Sequence, residues 1–573
     1  MRRVLGHILI VLALALVMSA CSGSRPWRLE PAPDYPIDQQ PLTELPEERD
    51  PSLFWDAINQ SSFHLIESSL DLPRQYRKLT GQLKEAYNAD VFGEVPNCSW
   101  FTNRHGQTPM TPEEIHRGPN SINGPDTTGP WMITRAKTEG VTPGFFVKDP
   151  AGETFVLKFD PVAYPELATG AEMVSTKFFH ALGYNVPENY LVTFDPSRLT
   201  ITEGITFSDR YGHRQPFTRD VLNGVLSRVA RNDDGQIRAI ASRFLPGKPI
   251  GPFSYHGRRK DDPNDYIPHQ HRRELRGLKV FAQLVNHFDT KDHNSLDILV
   301  NEDGKTYVRH YLIDFGSTLG SDGDEPKPVY KGYAYVFDLE QAAVSLATLG
   351  VRQWSWEGAD PNGIPNAIGY FESELFHPPG WKPLHANPAF DNMTHLDAFW
   401  AASILGRFEE EHLRACAEAA EYSDPEATEY LVQTLLERRR KILAYYYGKI
   451  NPLDDFVLHA DNDHLRLQFI DRWIDDGLVS GETVRYRYRL GHQDDGWGDY
   501  LDVGEGPTVT IDADDLARLR RIAADAESAD ERVFHVELQS NRDSGGWGRW
   551  VRVYFYFDPS GDGTRIVGIE RED

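Results

Sequence analysis

The sequence predicts an α+β protein in which a helical region separates two β-rich regions. Polar and apolar residues alternate along short segments of residues 128–250. Apolar residues recur at helical spacing through 251–455, and the alternation returns in 460–573. The chain has 573 residues, enough for two or three domains. Its 40% hydrophobic and 25% charged residues are ordinary for a globular protein.

The first residues have the pattern of a secretory signal. A basic start precedes an apolar run from Val4 to Val17, which is too short for a comfortable membrane span. With Cys21 after a small residue, the pattern resembles a bacterial lipoprotein signal. The resemblance implies a signal peptide over 1–20 and a lipid anchor on Cys21. The alternative is an ordinary signal peptide with an incidental cysteine.

The same resemblance implies a location in the cell envelope. A lipidated Cys21 would hold the protein at a membrane, with acyl chains supplying the anchorage. The residue after the cysteine is Ser22 rather than an acidic residue, and the resemblance then implies sorting to the outer membrane. The body of the protein would then face the periplasm or the cell surface.

Residues 21–51 are rich in proline and acidic residues and predict an extended tether. Residues 52–127 are expected to form a helical and irregular extension, with leucines at loosely helical spacing up to residue 90. Cys98 and Cys416 are the two further cysteines. In an exported protein they fit either a disulfide or two free thiols.

Region 128–250 is expected to be a β-rich unit with one helix. The strand-like segments are 131–135, 145–147, 154–159, 190–194 and 238–245. A loop that contains Gly140 and Gly144 connects the first two segments, and a turn signal at 149–152 precedes the third. The helix is expected over 165–182, where Gly183 suits its C-terminal cap.

Region 251–455 is expected to be mainly helical. Amphipathic patterns cover 274–288, 394–408 and 430–450. A polar cluster, HFDTKDHN, follows the first of these at 287–294, and it lies directly before an apolar, strand-like run. A hairpin signal comes next, and then the sequence IDFG ends with Asp314, Phe315 and Gly316.

These two motifs have a specific spacing. The polar cluster matches the pattern H-x-D-x-K-x-x-N, with Asp289, Lys291 and Asn294 at its defined positions. Helix, polar loop, short hairpin and Asp-Phe-Gly, in that order, resemble protein-kinase-like enzymes. The segments VLKFD and GAEMVSTKFFHALGYNVPE add to the resemblance. They are more similar to the HipA-type, CotH-type and phosphatidylinositol-kinase-like branches than to ordinary protein kinases.

The resemblance implies a two-lobed kinase-like fold, with a β-rich N-lobe at 128–250 and a helical C-lobe at 251–455. An antiparallel β-rich domain at 460–573 would follow. It also implies an ATP- and Mg²⁺-dependent phosphotransferase whose acceptor is a hydroxyl on a protein or a small molecule. No Ala-Pro-Glu follows Asp314-Phe-Gly, so the usual peptide platform is not implied.

Within that resemblance, each site residue has an expected role. Asp289 would act as the base toward the acceptor hydroxyl, and Lys291 would offset charge on the γ-phosphate. Asn294 and Asp314 would supply the hard oxygen ligands that Mg²⁺ prefers. Lys158 would hold the α- and β-phosphates. Glu172 would pair with Lys158 and fix its direction. Gly140 and Gly144 would let backbone amides approach the phosphates.

Simpler interpretations of these residues stay open. Asp289, Asn294 and Asp314 also suit turns, and Lys158 also suits an edge strand. The acidic partner in the helix is either Glu172 or its rival, Glu166. Asp297 either faces solvent in the loop or supports the site. His287 and His293 suggest a metal pair, but the sequence shows no third ligand. At the level of function, the alternatives are an inactive kinase-like scaffold and a nucleotidylyltransferase.

The C-terminal region alternates polar residues with apolar or aromatic ones. The strand-like segments are 484–490, 532–538, 550–557 and 565–570, with one helix at 512–527. The related segments 494–500 and 544–550 are interpreted as turns. Exposed Tyr, Trp and Arg side chains here fit a glycan or protein partner, or an aromatic pattern without a ligand.

The charge balance excludes one class of partner. The chain has 86 acidic and 60 basic residues, which gives a formal net charge of -26. Nonspecific nucleic-acid binding needs a basic surface, so no nucleic-acid partner is expected. The expected partners are therefore a nucleotide, the hydroxyl acceptor, and a membrane through Cys21.

Overall fold

The structure is a computed structural model, and it describes most of the chain. The described residues are 25–30, 38–49, 76–77, 83–136, 144–208, 213–460, 464–480, 484–492, 495–504, 506–542, 546–560 and 563–573. The chain divides into two compact units. The larger unit spans 33–452 with 471–481 and Asp573, and the smaller combines 1–32, 453–470 and 482–572. Cys21, the signal-peptide residues and Gly140 lie outside the described residues.

The first half of the larger unit is built around a six-stranded sheet. Its elements in chain order are α1 (Pro112–Arg117), β1 (Trp131–Ala136), β2 (Gly144–Lys148), β3 (Thr154–Phe159), α2 (Leu167–Leu182), β4 (Asn189–Phe194), β5 (Leu199–Ile201), β6 (Thr206–Ser208), β7 (Arg214–Pro216), α3 (Arg219–Leu226) and β8 (Ile237–Arg243). The sheet order is β4-β8-β3-β2-β1-β5, so β3 lies at its centre. All pairings are antiparallel except that of β1 with β5.

The second half of the larger unit is mainly helical. Its elements are β9 (Lys248–Pro249), α4 (Arg273–Val285), β10 (Ser295–Glu302), β11 (Lys305–Leu312), α5 (Leu339–Ala347), α6 (Pro388–Asp391), α7 (His395–Gly406), α8 (Glu410–Glu418) and α9 (Pro425–Tyr447). Buried apolar side chains of α2, α4, α7, α8 and α9 form one continuous core. A second core fills the other face of the six-stranded sheet.

The smaller unit contains two antiparallel sheets and a helix. In chain order the elements that follow α9 are β12 (Leu453–Ala460), β13 (Leu465–Asp471), α10 (Arg472–Asp475), β14 (Arg485–His492), β15 (Asp495–Asp502), β16 (Thr508–Ile511), α11 (Ala513–Asp525), β17 (Val533–Asn541), β18 (Trp550–Tyr556) and β19 (Arg565–Arg571). The sheet orders are β12-β13-β16 and β15-β14-β17-β18-β19. Helix α10 belongs to the larger unit.

Local sequence explains where the key elements end. Helix α4 ends at Val285 because Asn286 takes the left-handed conformation, with φ 49°, that commonly terminates helices. The β10–β11 hairpin turns at Asp303 and Gly304, both with positive φ, as a tight two-residue turn requires. The end of α4 and the start of β10 bound the loop that carries Asp289.

The mixed α+β architecture agrees with the sequence prediction, and the main strands and helices lie close to the predicted ranges. Two local interpretations were wrong. The predicted turn at 494–500 belongs mostly to strand β15, because its backbone pairs with β14. Helix was expected up to residue 90, but 83–90 contains none; residues 76–77 are helical, and the rest of that prediction lies outside the described residues.

The predicted tether 21–51 is packed on the protein in both of its described parts. In the smaller unit, the Trp27 ring lies 5.1 Å from that of Tyr554, and the Arg28 backbone N–H donates to the Val567 carbonyl at 2.9 Å. A Cβ on Gly568 would collide with the carbonyl of Pro26, so a glycine is needed for this close approach. Residues 25–30 are therefore docked on the C-terminal sheet.

The second described part of the tether, residues 38–49, is held by the larger unit. Asp38 is buried, and its carboxylate accepts hydrogen bonds from the backbone N–H and the hydroxyl of Ser99. Asn264 donates to the carbonyl of Gln40 at 2.8 Å. The proline and acidic residues predict an extended tether here, and the composition alone does not indicate these contacts with the larger unit.

Two further sequence questions have structural answers. Cys98 and Cys416 are both free thiols, so the disulfide alternative does not hold. Burial raises the pKa of both thiols. Among the described residues, no helix combines the length and the apolar character needed to cross a bilayer.

Candidate active site

The central strand of the six-stranded sheet positions Lys158. Along β3 the buried apolar residues Phe155, Leu157 and Phe159 point into one core, so the alternation of a strand directs Lys158 to the opposite face. Gly144, the first residue of β2, lies directly opposite Lys158 in the strand register. The Lys158 ammonium is thereby held on the side of the sheet where α2 packs.

Helix α2 supplies the first carboxylate. Glu172 lies in its second turn and is buried, and Lys158 Nζ donates to Glu172 Oε1 at 3.0 Å. Asn189 of β4 donates to the same oxygen at 3.2 Å. The rival Glu166 is engaged elsewhere, because its carboxylate accepts hydrogen bonds from Ser423 and lies 3.9 Å from Arg238.

The Asp-Phe-Gly motif supplies the second carboxylate. Lys158 Nζ also donates to Asp314 Oδ1 at 3.0 Å, although the two residues are 156 positions apart. Asp314 has a φ of 63°, a left-handed conformation that aspartate tolerates better than most residues. The neighbouring Phe315 holds the motif in place, since its ring stacks on that of Phe179 in α2 at 4.9 Å.

The polar loop after α4 forms a second group of contacts. Lys291 Nζ donates to Asp289 Oδ2 at 2.8 Å. Asn294 Nδ2 donates to the Asp289 carbonyl at 2.7 Å and to Asp289 Oδ2 at 3.1 Å. The backbone N–H of Ile313 donates to the carbonyl of Asn294, which joins this loop to the residue before Asp314.

His287 shows that the two groups share one neighbourhood. Burial lowers the pKa of His287 to about 4, and the nearby carboxylates of Asp289 and Asp314 only partly oppose that shift. The imidazole is therefore neutral at pH 7, and it adds no positive charge to the site. Its ring packs 5.7 Å from that of Phe315.

Lys158 remains an ammonium despite its environment. Burial alone would lower the pKa of Lys158, but the charges of Asp314 and Glu172 outweigh burial and raise it. An ammonium has three N–H donors, and two of them are used by these carboxylates. A further anion would accept its hydrogen bond from the third N–H.

The oxygen atoms of the site suit a divalent cation held together with phosphates. Among the described residues, no set of three His, Cys, Asp or Glu side chains is arranged to hold a metal. Mg²⁺ needs no such set, because it commonly binds one or two carboxylates plus substrate phosphates. Asp314 is 48% exposed, and Asn294 keeps Oδ1 as a ligand atom because its Nδ2 donates to Asp289. The donor types therefore fit the group.

Within the candidate site, two buried carboxylate oxygens have no hydrogen-bond donor among the described residues. They are Glu172 Oε2 and Asp289 Oδ1. A buried acceptor without a donor is costly, and a catalytic role or a bound ion is one explanation for such an atom. Asp289 Oδ1 is the more informative of the two, because Oδ2 of the same carboxylate already accepts from Lys291 and Asn294.

The remaining sequence candidates have other surroundings. Asp297 is fully buried between Arg259 at 3.1 Å and His310 at 2.6 Å, so the expectation of loop solvation was wrong. Asp292 accepts a hydrogen bond from the Tyr255 backbone and so shapes the loop. Gly140 lies outside the described residues, while Gly144 is present as the strand partner of Lys158.

Two residues near the site were not found from the sequence. Asn189 orients Glu172, and Asp160 accepts from the backbone N–H and the hydroxyl of Thr169, which ties the end of β3 to the first turn of α2. Their partners are distant in sequence or joined only by folding, so no spacing marks them. The VLKFD segment, which ends at Asp160, was the one available signal.

Comparisons with known proteins give low similarities. No family model matches the chain, and no curated protein matches it. Among solved structures, the Helicobacter pylori proinflammatory kinase CtkA is 13% identical, with 56% of this chain and 96% of CtkA covered and a TM-score of 0.32. The Golgi casein kinase is 9% identical, with 74% and 95% covered and a TM-score of 0.30. A structure of the Golgi casein kinase with Mn/ADP bound is 12% identical, with 52% and 76% covered and a TM-score of 0.23.

Proposed function

We propose that this protein is an ATP- and divalent-metal-dependent phosphotransferase with a kinase-like fold, which transfers phosphate to a hydroxyl group. One observation carries the proposal: Lys158 Nζ contacts Glu172 Oε1 and Asp314 Oδ1 at 3.0 Å each. In kinases a strand lysine that pairs with a helix glutamate contacts the phosphates, and the aspartate of Asp-Phe-Gly holds the metal beside them. Three separate elements supply these groups, which favours a site over an incidental surface ion pair.

Each residue has a defined task in this proposal. Lys158 binds phosphate oxygens with its remaining N–H, while Glu172 fixes its direction and Asn189 fixes Glu172. Asn294 and Asp314 would hold the cation, with Mg²⁺ as the proposed metal. When bound, the cation offsets the negative charge that spreads over the transferring phosphate.

Asp289 is the proposed base. Its Oδ2 accepts hydrogen bonds from Lys291 and Asn294, which fixes the orientation of the carboxylate. Its Oδ1 has no donor among the described residues, so it is the atom left to accept the proton of the acceptor hydroxyl. Lys291, beside it, would balance the charge of the arriving phosphate.

The proposed location follows from the sequence rather than from the site. We infer export and lipid attachment at Cys21, because residues 4–21 resemble a lipoprotein signal. Metabolic labelling of the expressed full-length chain with a radioactive fatty acid tests this, and the Cys21→Ser variant should lose the label. Label retained by that variant would exclude an anchor at this residue.

The activity is tested on the full-length chain with ATP and Mg²⁺. We expect nucleotide binding to raise the melting temperature, since a ligand at 100 times its dissociation constant adds about 2.7 kcal/mol to the folded state. We also expect transfer of label from γ-labelled but not α-labelled ATP, which separates phosphoryl from nucleotidylyl transfer. Lys158→Met and Asp314→Asn should each abolish transfer.

Lys148→Met is the matched control, because Lys148 is the exposed last residue of the neighbouring strand β2. It should keep wild-type thermal shift and transfer. If ATP with Mg²⁺ neither shifts the melting temperature nor labels any product, the site is not a phosphotransferase. Equal loss in all three lysine and aspartate variants would indicate unfolding rather than chemistry.

A further inference from the structure

A run of large apolar side chains is exposed shortly after the Asp-Phe-Gly motif. We call residues 336–351 the exposed apolar segment. Its exposed side chains are Val336, Phe337, Leu339, Leu346, Leu349 and Val351, with exposed fractions between 47% and 87%. Helix α5, within it, has no buried residue. Single exposed apolar residues are normal, but so many in one short segment indicate an interaction surface.

This segment is anchored to the candidate active site. The Asp338 carboxylate accepts from the Gln341 backbone at the start of α5, and it also accepts from Lys382 at 2.8 Å. The Val336 backbone N–H donates to Leu384, and the Leu384 N–H donates to Phe288 at 2.7 Å. Phe288 immediately precedes Asp289, so two backbone hydrogen bonds connect the segment to the proposed base.

The charges around the segment narrow the choice of partner. Residues 336–360 contain four carboxylates, at Asp338, Glu340, Glu357 and Asp360, and one guanidinium, at Arg352. Lys382 pairs with Asp338 at 2.8 Å and with Glu340 at 3.3 Å, so the surface keeps an excess of two negative charges. Helices that lie on anionic lipid surfaces carry Lys and Arg beside their apolar face, which is the opposite pattern. A second copy would bring the same acidic segment and a net charge of -26, so self-association is opposed by like charges.

We infer that the exposed apolar segment docks the acceptor polypeptide of the proposed phosphotransferase. The partner is a polypeptide with an apolar stretch flanked by Lys or Arg, with its acceptor hydroxyl delivered to Asp289. This inference rests on the proposed function, because it assigns a substrate class to the same site. Apolar side chains supply the affinity here, while the carboxylates select basic flanks.

The test uses the full-length chain and three fluorescent peptides that share one acceptor serine. The first has a leucine-rich face with lysine flanks, the second replaces its leucines by serine, and the third replaces its lysines by glutamate. We expect the first peptide to bind and to be phosphorylated at least about tenfold better than either of the others. Fluorescence anisotropy gives the binding, and γ-labelled ATP gives the transfer.

A double variant, Leu346→Glu with Leu349→Glu, should weaken binding of the first peptide about tenfold or more, while the thermal shift by ATP with Mg²⁺ stays unchanged. The matched control is Val457→Glu with Leu501→Glu, which changes exposed apolar residues of the smaller unit. It should bind like the wild type.

Several results would overturn the docking surface. These are equal binding of all three peptides, unchanged binding by the double variant, a wild-type dimer that this variant dissociates, or variant-sensitive sedimentation with phosphatidylglycerol vesicles. Failure of the proposed function looks different. Peptide binding would then be lost in the double variant, as the docking surface requires, while neither ATP binding nor phosphate transfer occurs in the wild type.

Discussion

Lys158 is the residue that joins the helix carboxylate of Glu172 to the aspartate of Asp-Phe-Gly, Asp314. Its ammonium is almost enclosed, yet contacts with Glu172 and Asp314 raise its pKa above the ordinary value. The charge on Lys158 is therefore present across the whole physiological pH range. An anion that approaches this site meets a fixed positive charge rather than one that titrates.

At this scale the sequence indicated residue types but not their exact partners. The spacing of Asp289, Lys291 and Asn294 was enough to predict one cluster, because these three lie in one short loop. The choice between Glu166 and Glu172 was open, since both lie near the start of the same helix. Only the folded positions show that Glu172, and not Glu166, contacts Lys158.

These two glutamates provide a matched pair of variants. Glu172→Gln removes a charge that fixes Lys158, and we expect the turnover number to fall about a hundredfold with the fold retained. Glu166→Gln changes the same residue type at the residue that precedes this helix, and it should stay within about twofold of the wild type. Steady-state kinetics with γ-labelled ATP measure both. A similar loss in both variants would contradict the assignment of Glu172.

At the scale of elements, helix α2 is unusual because nearly all of its residues are buried. Helices α1 and α8 also pack against it. The buried Lys177 ammonium also donates to the Arg117 carbonyl at the C-terminal end of α1, where a positive charge is favourable. The carboxylate of Glu172 is therefore carried by a helix that is held from several sides.

Gly183, the C-cap residue of this helix, leaves no space for a Cβ. Its φ is 128°, and an added Cβ would collide with the ring of Phe101 and lie 2.6 Å from the carbonyl of Thr102. We expect Gly183→Ala to destabilise the protein by about 2–4 kcal/mol, because backbone strain and overpacking act together. Urea denaturation measures the loss.

The control for that substitution is Gly224→Ala in helix α3. An added Cβ there has no atom within 4 Å, and alanine favours a helix interior over glycine by about 0.5–1 kcal/mol. Gly224→Ala should therefore be neutral or stabilising. Equal destabilisation by the two variants would mean that close packing at Gly183 does not limit the fold.

Elements with strong periodicity were predictable, and elements defined by their partners were not. The alternation in 154–159 and the apolar spacing of 430–450 agree with β3 and α9 because side-chain burial follows those periods directly. Strand β15 contains glycines and aspartates that favour turns, and pairing with β14 overrides that preference. Docking of residues 25–30 likewise depends on a sheet more than 500 positions away, as the contact of Arg25 with Asp530 illustrates.

For the whole molecule, buried neutral histidines should lower the free energy of unfolding as the pH falls. His105 donates from Nε2 to the Arg407 carbonyl and accepts at Nδ1 from the Met110 N–H, so its folded form is neutral. Burial lowers the pKa of His105 to about 4, as it does for His287. Between pH 6.5 and about 4 the unfolded chain binds protons that the folded chain does not, so stability falls as pH falls.

We expect each such histidine to contribute a slope of up to about 1.4 kcal/mol per pH unit in that window. His105→Gln keeps a neutral donor and acceptor, and should make the pH dependence shallower by about one proton. His459→Gln, at an exposed position, is the control and should leave the slope unchanged. Unfolding in urea at pH 7.5, 6 and 5 gives the slopes, and an unaltered slope for His105→Gln would contradict the assignment.

The docking of residues 25–30 limits how far the C-terminal sheet can lie from any acyl chain on Cys21. Four residue steps from Cys21 to Arg25 reach at most about 14 Å. In a lipidated chain, the C-terminal sheet would therefore stay close to the lipid headgroups. A nitroxide at Arg565→Cys, in a Cys98→Ser background, should be relaxed strongly by a nickel chelate attached to lipid in proteoliposomes. Absence of relaxation would rule out so short a distance between the C-terminal sheet and the bilayer.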